Sequence, residues 1–262
     1  MSLVKNDANH DRFASVFNLL PSEAEFVMPV LEQLMLKHLP KGAHILDIGC
    51  SNGYIVQQLQ KRGYQATGLD VSGKLLSFAR INSPESKFIH EDIRNFKSPP
   101  TYDAVYSKNA LCFFMSLEEL TTVFQNIYTA MHDNALFMFS IPTADIYWRD
   151  GVPEDDYIGY GYTNTHCYVG DTFVFIEREN YHYKPEERIR EVAMTIFELI
   201  DGIWKRTDSR HLVKDYFLSE IKAVLENVGF IEINDCNIQD FGEDYKGYDQ
   251  HCIICRKPSL SQ

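Results

Sequence analysis

Three carboxylates lie at the ends of short apolar runs in the first hundred residues, and their spacing is the first sign of chemistry. Asp47 stands in Ile45-Leu46-Asp47-Ile48, followed by Gly49-Cys50-Ser51-Asn52-Gly53. Asp70 stands in Gly68-Leu69-Asp70-Val71-Ser72, and Asp92 in His90-Glu91-Asp92-Ile93. The two glycines let backbone approach a ligand where a Cβ would collide. The run Tyr54-Ile55-Val56-Gln57-Gln58-Leu59 has helical spacing, so its opening N–H groups point at the same place. An acid before the first glycine repels a pyrophosphate, and D-x-G-x-S-x-G is not the G-x-G-x-x-G of dinucleotide sites. Three acids at three successive strand ends suit a ligand that carries an amino group, a ribose and a base, but no phosphate.

The elements needed to position these acids are legible as alternating strands and helices. Strands are expected at Ala43 to Ile48, Tyr64 to Leu69, Lys87 to His90, Tyr102 to Ser107 and Ala135 to Ile141. Helices are expected from Tyr54, from Gly73 to Ile81, and from Leu117 to Met131, the last opened by Ser116 with Glu118 and Glu119 in its first turn. Repeated strand-helix units give a parallel sheet covered on both faces, with ligands at the carboxyl ends of the strands. From 142 to 212 the rhythm changes. Thr172 to Glu179, Arg190 to Leu199 and Ile203 to Leu212 read as strands separated by Lys184-Pro185-Glu186 and Asp201-Gly202. A helix from Ser219 to Val228, closed by Gly229, and strands at Phe230 to Asn237 and His251 to Arg256 end the chain.

In these motifs, together with Tyr102-Asp103-Ala104-Val105-Tyr106-Ser107, the chain resembles the class I S-adenosylmethionine-dependent methyltransferases over roughly residues 40 to 141. The resemblance implies an α/β fold, a doubly wound, mostly parallel seven-stranded sheet, here with an antiparallel strand-rich insertion after strand five. It implies S-adenosylmethionine as cofactor. The methionine end would lie on Asp47, Gly49, Cys50, Ser51, Gly53 and Tyr54, the ribose on Asp70 beside Val71, and the adenine on Asp92 beside Ile93, with Ser107 at the end of strand four. Ser51 departs from the third glycine of many members. The expected organisation is an N-terminal helical flap at 1–40, a cofactor-binding domain at 41–141 and 213–262, and an inserted lid or substrate subdomain at 142–212. Simple packing of the N-terminal segment on the core is the alternative to a flap, and Ser22 with Glu25 forms a capping box within it.

Methyl transfer is an in-line displacement that asks a protein to position an acceptor and exclude water, so few catalytic groups are needed. Asn109, after strand four, is the first candidate, against the alternative that it only caps a turn. His166 is the second, as a general base near neutral pH, and His182 is a further one. Around them the insertion gathers Tyr147, Trp148, Tyr157, Tyr160, Tyr162 and Tyr168 with Asp145, Asp150, Glu154, Asp155 and Asp156, a set suited to a cationic or polyhydroxylated small molecule or to plain lid packing.

A formal charge of -12 and a pI near 5.2 disfavour a phosphate-backbone substrate, which Lys and Arg clusters would hold. No nucleic-acid partner is therefore expected. No apolar run approaches the roughly 20 residues of a membrane span and the start lacks a signal-peptide pattern, so a cytoplasmic protein without a membrane partner is expected. The six cysteines read as reduced core thiols. In Cys252-Ile253-Ile254-Cys255 strand alternation sends the sulfurs to opposite faces, and no metal site is expected. The leading reading is methyl transfer to nitrogen or oxygen of a small-molecule acceptor, with a homodimer left open. Its competitors are a protein or RNA methyltransferase, and a catalytically inactive regulator that binds S-adenosylmethionine.

Overall fold

A computed structural model describes residues 7–19, 24–148, 164–245 and 250–259 of the 262-residue chain. The main sheet takes β1 (His44–Ile48), β2 (Gln65–Asp70), β3 (Lys87–His90), β4 (Tyr102–Lys108), β5 (Met131–Ile141), β10 (Ile231–Asn237) and β11 (His251–Arg256) in the order β10-β11-β5-β4-β1-β2-β3. The first five strands run parallel, while β11 lies antiparallel to both β5 and β10. Because both faces are covered, the central strands are apolar runs without alternation, as Leu136 to Ile141 shows. On one face Phe137, Phe139 and Val105 pack against Phe124 and Ile127 of α5 (Leu117–Ala130) and Leu225 of α7 (Leu218–Val228). On the other, Ile45, Tyr106 and Met138 meet Met28 and Leu31 of α2 (Ala24–Leu34), Leu59 of α3 (Tyr54–Lys61) and Leu76 of α4 (Gly73–Asn82).

The chain between β5 and α7 begins with the short α6 (Ala144–Tyr147) and builds a second sheet of four antiparallel strands: β6 (Asn164–Val169), β7 (Phe173–Lys184), β8 (Ile189–Ile200) and β9 (Ile203–Lys214), paired in that order. Three of these are the strands expected from sequence. The fourth, β6, is new, and its residues Thr165 to Val169, all exposed, offer no buried face to betray it; it is held by pairing with β7. Phe175, Val192, Met194, Ile196 and Val213 of the second sheet join the same buried cluster as Phe13, Leu111 and Phe114. Tyr216 fastens the junction by donating its hydroxyl to the carbonyl of Phe114 (2.8 Å). The second sheet therefore packs at the carboxyl edge of the first, where α1 (Asp7–Leu19) and the 3-10 turn Leu111–Phe113 also touch β9. The sequence-expected capping box at Ser22 and the aromatic and acidic residues of 149–163 lie outside the described residues.

Candidate active site

The socket begins where β1 ends. Gly49 (φ 72°) and Gly53 (φ 76°) take left-handed backbone, and a Cβ on Gly49 would come within 2.6 Å of the Ala110 Cβ. The turn can therefore only be this tight with glycine, and its closeness ties β1's end to the residue after Asn109. Gly49 and Cys50 both donate backbone N–H groups to the Leu69 carbonyl (2.8 and 3.1 Å), which pins the turn to β2. Ser51 sits at φ 52°, and its N–H donates to the Asp70 carboxylate (2.9 Å). A second N–H, from Ser72, reaches the other oxygen of Asp70 (2.8 Å). Each Asp70 oxygen keeps a further lone pair for a ligand hydroxyl. Burial raises the Asp70 pKa, and these two N–H groups oppose the rise.

Asp47 differs from Asp70 in having an orphan. It is 3% exposed, its Oδ2 has no hydrogen-bond partner, and burial with the nearby charge of Asp70 pushes its pKa up to about 8. Asn109, on the adjacent strand's end and at φ 52°, likewise has a buried Oδ1 without a partner. Buried acceptors left open in this way carry a desolvation cost that a ligand bearing donors would remove. Two orphaned acceptors beside a glycine cradle fit the ammonium and sulfonium end of S-adenosylmethionine, and a pyrophosphate does not fit them.

The remaining residues expected from the sequence divide into two sets. Tyr54 opens α3 directly after the glycine turn, and the Val71 carbonyl bonds the His90 ring (2.9 Å), fixing the chain beyond Asp70. Ile93 is buried in the core with its carbonyl held by Asn126 (2.8 Å). Asp92 is paired with Arg94 (2.5 Å). Burial pushes the Asp92 pKa up, but the hydrogen bonds and charge of Arg94 outweigh it and hold the carboxyl below its usual value. Ser107 is fully buried and donates its hydroxyl to the Ile48 carbonyl (3.0 Å), which joins β4 to β1. The Cys50 thiol is likewise packed inward against Gly68. His166 is exposed on the outer strand β6, in register with Glu177, and His182 is exposed on β7. Neither histidine stands on the elements that bring Asp47, Asp70 and Asn109 together.

Several side chains around the socket carried no local signal in the sequence. On α1, Asp11 accepts from the Ser72 hydroxyl (2.5 Å) and the Lys74 N–H (3.2 Å), immediately beyond Asp70. The Phe17 carbonyl accepts from Asn52 of the glycine turn (3.4 Å), and Asn18 meets Asn82 (3.2 Å). His10 packs edge-on against Phe113 (5.1 Å) and lies beside His211 of β9 (6.1 Å). Burial, with the charges of His10 and Arg190, drops the His211 pKa to about 3 and keeps the imidazole neutral. Above this, Arg190 of β8 is closed by Asp215 (3.1 Å) and by Glu179, while Trp148 donates to Asp215 (3.0 Å) and Tyr181 to Glu179 (3.1 Å). Glu179, Tyr181, Arg190, His211 and Asp215 stand more than a hundred positions from the glycine turn and α1 thirty or more before it, so only the fold reveals their neighbourhood.

A family model described as a methyltransferase domain matches residues 45–134, the stretch that holds the glycine turn, Asp70, Asp92 and Asn109. Residues 45–134 thus match a methyltransferase domain, and the fold around them is that of the class I enzymes, whose cofactor is S-adenosylmethionine. Among curated proteins, the trans-aconitate 2-methyltransferase of Enterobacter sp. (strain 638) is 37% identical over 34% of this chain and 36% of its own length. The dTDP-3-amino-3,6-dideoxy-alpha-D-glucopyranose N,N-dimethyltransferase of Streptomyces fradiae is 31% identical over 34% of this chain and 33% of its own. The match thus spans about a third of either relative. Likeness of fold extends further: CalS10, an amino pentose methyltransferase of Micromonospora echinaspora solved with S-adenosylmethionine bound, aligns with a TM-score of 0.67. That alignment covers 98% of this chain and 99% of CalS10 at 14% identity, so both sheets belong to the shared architecture.

Proposed function

We propose that the protein transfers a methyl group from S-adenosylmethionine to nitrogen or oxygen of a small-molecule acceptor, and that the acceptor is neutral or amine-bearing. The observation that carries the cofactor half is the buried, unpartnered Oδ2 of Asp47 beside the Gly49 turn. Asp47 would take the ammonium of the methionine end, and the Asp70 oxygens the two ribose hydroxyls. Asp92, already oriented by Arg94, would meet the adenine amino group. When bound, the cofactor supplies an electrophilic methyl on a sulfonium. The chain's own task is geometry: α1, anchored at Ser72, Lys74 and Asn52, serves as a flap that keeps water from the cofactor, and the four-stranded sheet closes the acceptor side. Asn109, whose Oδ1 is open, would accept a hydrogen bond from the acceptor's N–H or O–H and so direct its lone pair at the methyl.

Charge supports the acceptor half. From Pro142 to Glu191 the sequence carries eleven acids against five bases, a field that draws in an amine and opposes a polyanion. The amino-sugar substrates in the names of the Streptomyces fradiae relative and of CalS10 agree with this reading, whereas trans-aconitate, a polycarboxylate, is the contrary case. The test is a panel screen with methyl-labelled S-adenosylmethionine over amines, phenols, carboxylates and RNA. Turnover is expected with amines or neutral hydroxyl compounds. Turnover confined to RNA or to polycarboxylates would replace this reading.

A further inference from the structure

We propose that Cys236 and Cys252 form a peroxide-sensitive dithiol, which a hydroperoxide closes into a disulfide that clips β10 to β11 and which thiol reductants reopen. The two residues face each other in the antiparallel register of the closing hairpin. Two steps along the same ladder, the Ile238 N–H bonds the Gln250 carbonyl (3.0 Å), so alternation makes the cysteine pair a hydrogen-bonded one as well. Such pairs hold their Cα atoms ~5.5 Å apart, within the ~4.4–6.8 Å that disulfides span. Directly opposed residues share a face, and here both sulfurs turn toward α2: Cys252 is buried in the cluster with Val27 and Met28, and Cys236 packs on that cluster. The Cys236 thiol donates to the Cys252 carbonyl across the pair (3.8 Å).

The other four cysteines lack this arrangement. Cys255 points to the opposite face and donates to the Phe137 carbonyl, Cys50 and Cys112 are buried in the glycine turn and the 3-10 turn, and Cys167 is exposed on β6. Within the pair the environments are unequal. A side-chain hydrogen bond from Cys252 lowers the pKa of the half-buried Cys236, while that same bond and burial raise Cys252 well above its usual value. A more accessible sulfur with greater thiolate character, beside a buried thiol, is the order a two-step oxidation requires. The Cys236 thiolate attacks one peroxide oxygen, the O–O bond breaks, and hydroxide leaves with a sulfenic acid formed. Cys252 then attacks the Cys236 sulfur, the S–S bond forms, and the hydroxyl leaves as water with the Cys252 proton. Two electrons pass from the thiols to the peroxide.

The clip would fasten an edge strand. β10 is the outermost strand, and its register with β11 slips between Ile231 and Asn234. Cys252 also lines the small cleft beneath α2 with Lys108 and Ser140, at the strand ends that neighbour Asn109. By contrast β1 and β2, which build the cofactor socket, are separated from β11 by β5 and β4.

The experiment treats the full chain, freshly reduced and desalted, with one equivalent of hydrogen peroxide, then alkylates free thiols and digests without reductant for mass spectrometry. The expected product is a Cys236–Cys252 linked peptide pair. Dithiothreitol should return both thiols to alkylation, and Cys236→Ser should lose the linkage while its circular dichroism matches that of the parent. S-adenosylhomocysteine affinity should stay within about twofold between the oxidised and reduced chains, which keeps this test separate from the methyltransferase reading. Separately alkylated Cys236 and Cys252, Cys236 over-oxidised to a sulfinic acid beside an alkylated Cys252, or Cys236 joined to any other thiol would overturn the proposal.

Discussion

Two buried polar clusters, one at the carboxyl ends of the first sheet and one in the second sheet, are satisfied in opposite ways. At the carboxyl ends of β1 and β4, Asp47 and Asn109 each keep a buried oxygen with no partner. In the second sheet, the buried Arg190 is closed by Asp215 and Glu179, which in turn accept from Trp148 and Tyr181. A paired cluster is complete as it stands, so its work is to fix the sheet's strands to the Asp215 link. An orphaned one is complete only with a ligand. The difference makes the orphaned cluster of the first sheet the candidate for ligand chemistry and gives the paired Arg190 cluster of the second a scaffolding role.

The largest effect that can test this contrast is on stability. Asp215→Ala removes one carboxylate partner of the buried Arg190 charge, and removing one partner of a buried pair costs ~3–5 kcal/mol. Urea unfolding should show this loss, and a change below ~1 kcal/mol would mean that the cluster is not structural. Next comes Gly49→Ala, which must accept φ 72° and a Cβ contact of 2.6 Å with Ala110. Positive φ alone costs a non-glycine residue ~1–3 kcal/mol, and the displaced turn should weaken S-adenosylhomocysteine further. Binding as tight as that of the parent chain would remove the turn from the site.

Asp70→Ala follows, with ~1.5–3 kcal/mol expected from the loss of charge-assisted bonds to the ribose hydroxyls. An unchanged dissociation constant would show that Asp70 serves only the Ser51 and Ser72 N–H groups. A further effect is a pH dependence of stability. The Asp47 pKa of about 8 in the fold lies above its ordinary 3.8, so the folded chain holds a proton that the unfolded chain releases between these values. Stability of the ligand-free chain should therefore fall as pH rises from about 4 to about 8, and this slope should be shallower in Asp47→Asn. A slope of equal size in the variant would assign it to other groups.

The same contrast explains what the sequence disclosed. In the first sheet, β1, β2, β4 and β11 agree with their expected spans within a residue, because strands buried on both faces announce themselves, while the part-exposed edge strand β3 matches on its short Phe88-Ile89 run between turns. Asp47, Asp70 and the glycines were legible because the turn that uses them is local. In the second sheet β7 continues past Glu179 to Lys184 along half-exposed polar residues, and β6 gives no pattern at all. His166 was chosen for its residue type, yet type says nothing of position, and the fold places it on an outer strand. His10 and His211, about two hundred residues apart, meet only because α1 lies between the sheets. Likewise the Ser107 hydroxyl's bond to the Ile48 carbonyl of the neighbouring strand has no local signal in the sequence.

The most direct test of the orphaned socket is calorimetry of the ligand-free chain with S-adenosylhomocysteine near pH 7, repeated in buffers of different ionisation enthalpy and with NAD as the competitor. The ligand's ammonium should hold Asp47 as a carboxylate, so binding in the micromolar range should release a proton to the buffer, and Asp47→Asn should lose that release. NAD binding more tightly than S-adenosylhomocysteine, or tight S-adenosylhomocysteine binding with the same proton release in Asp47→Asn, would contradict the account.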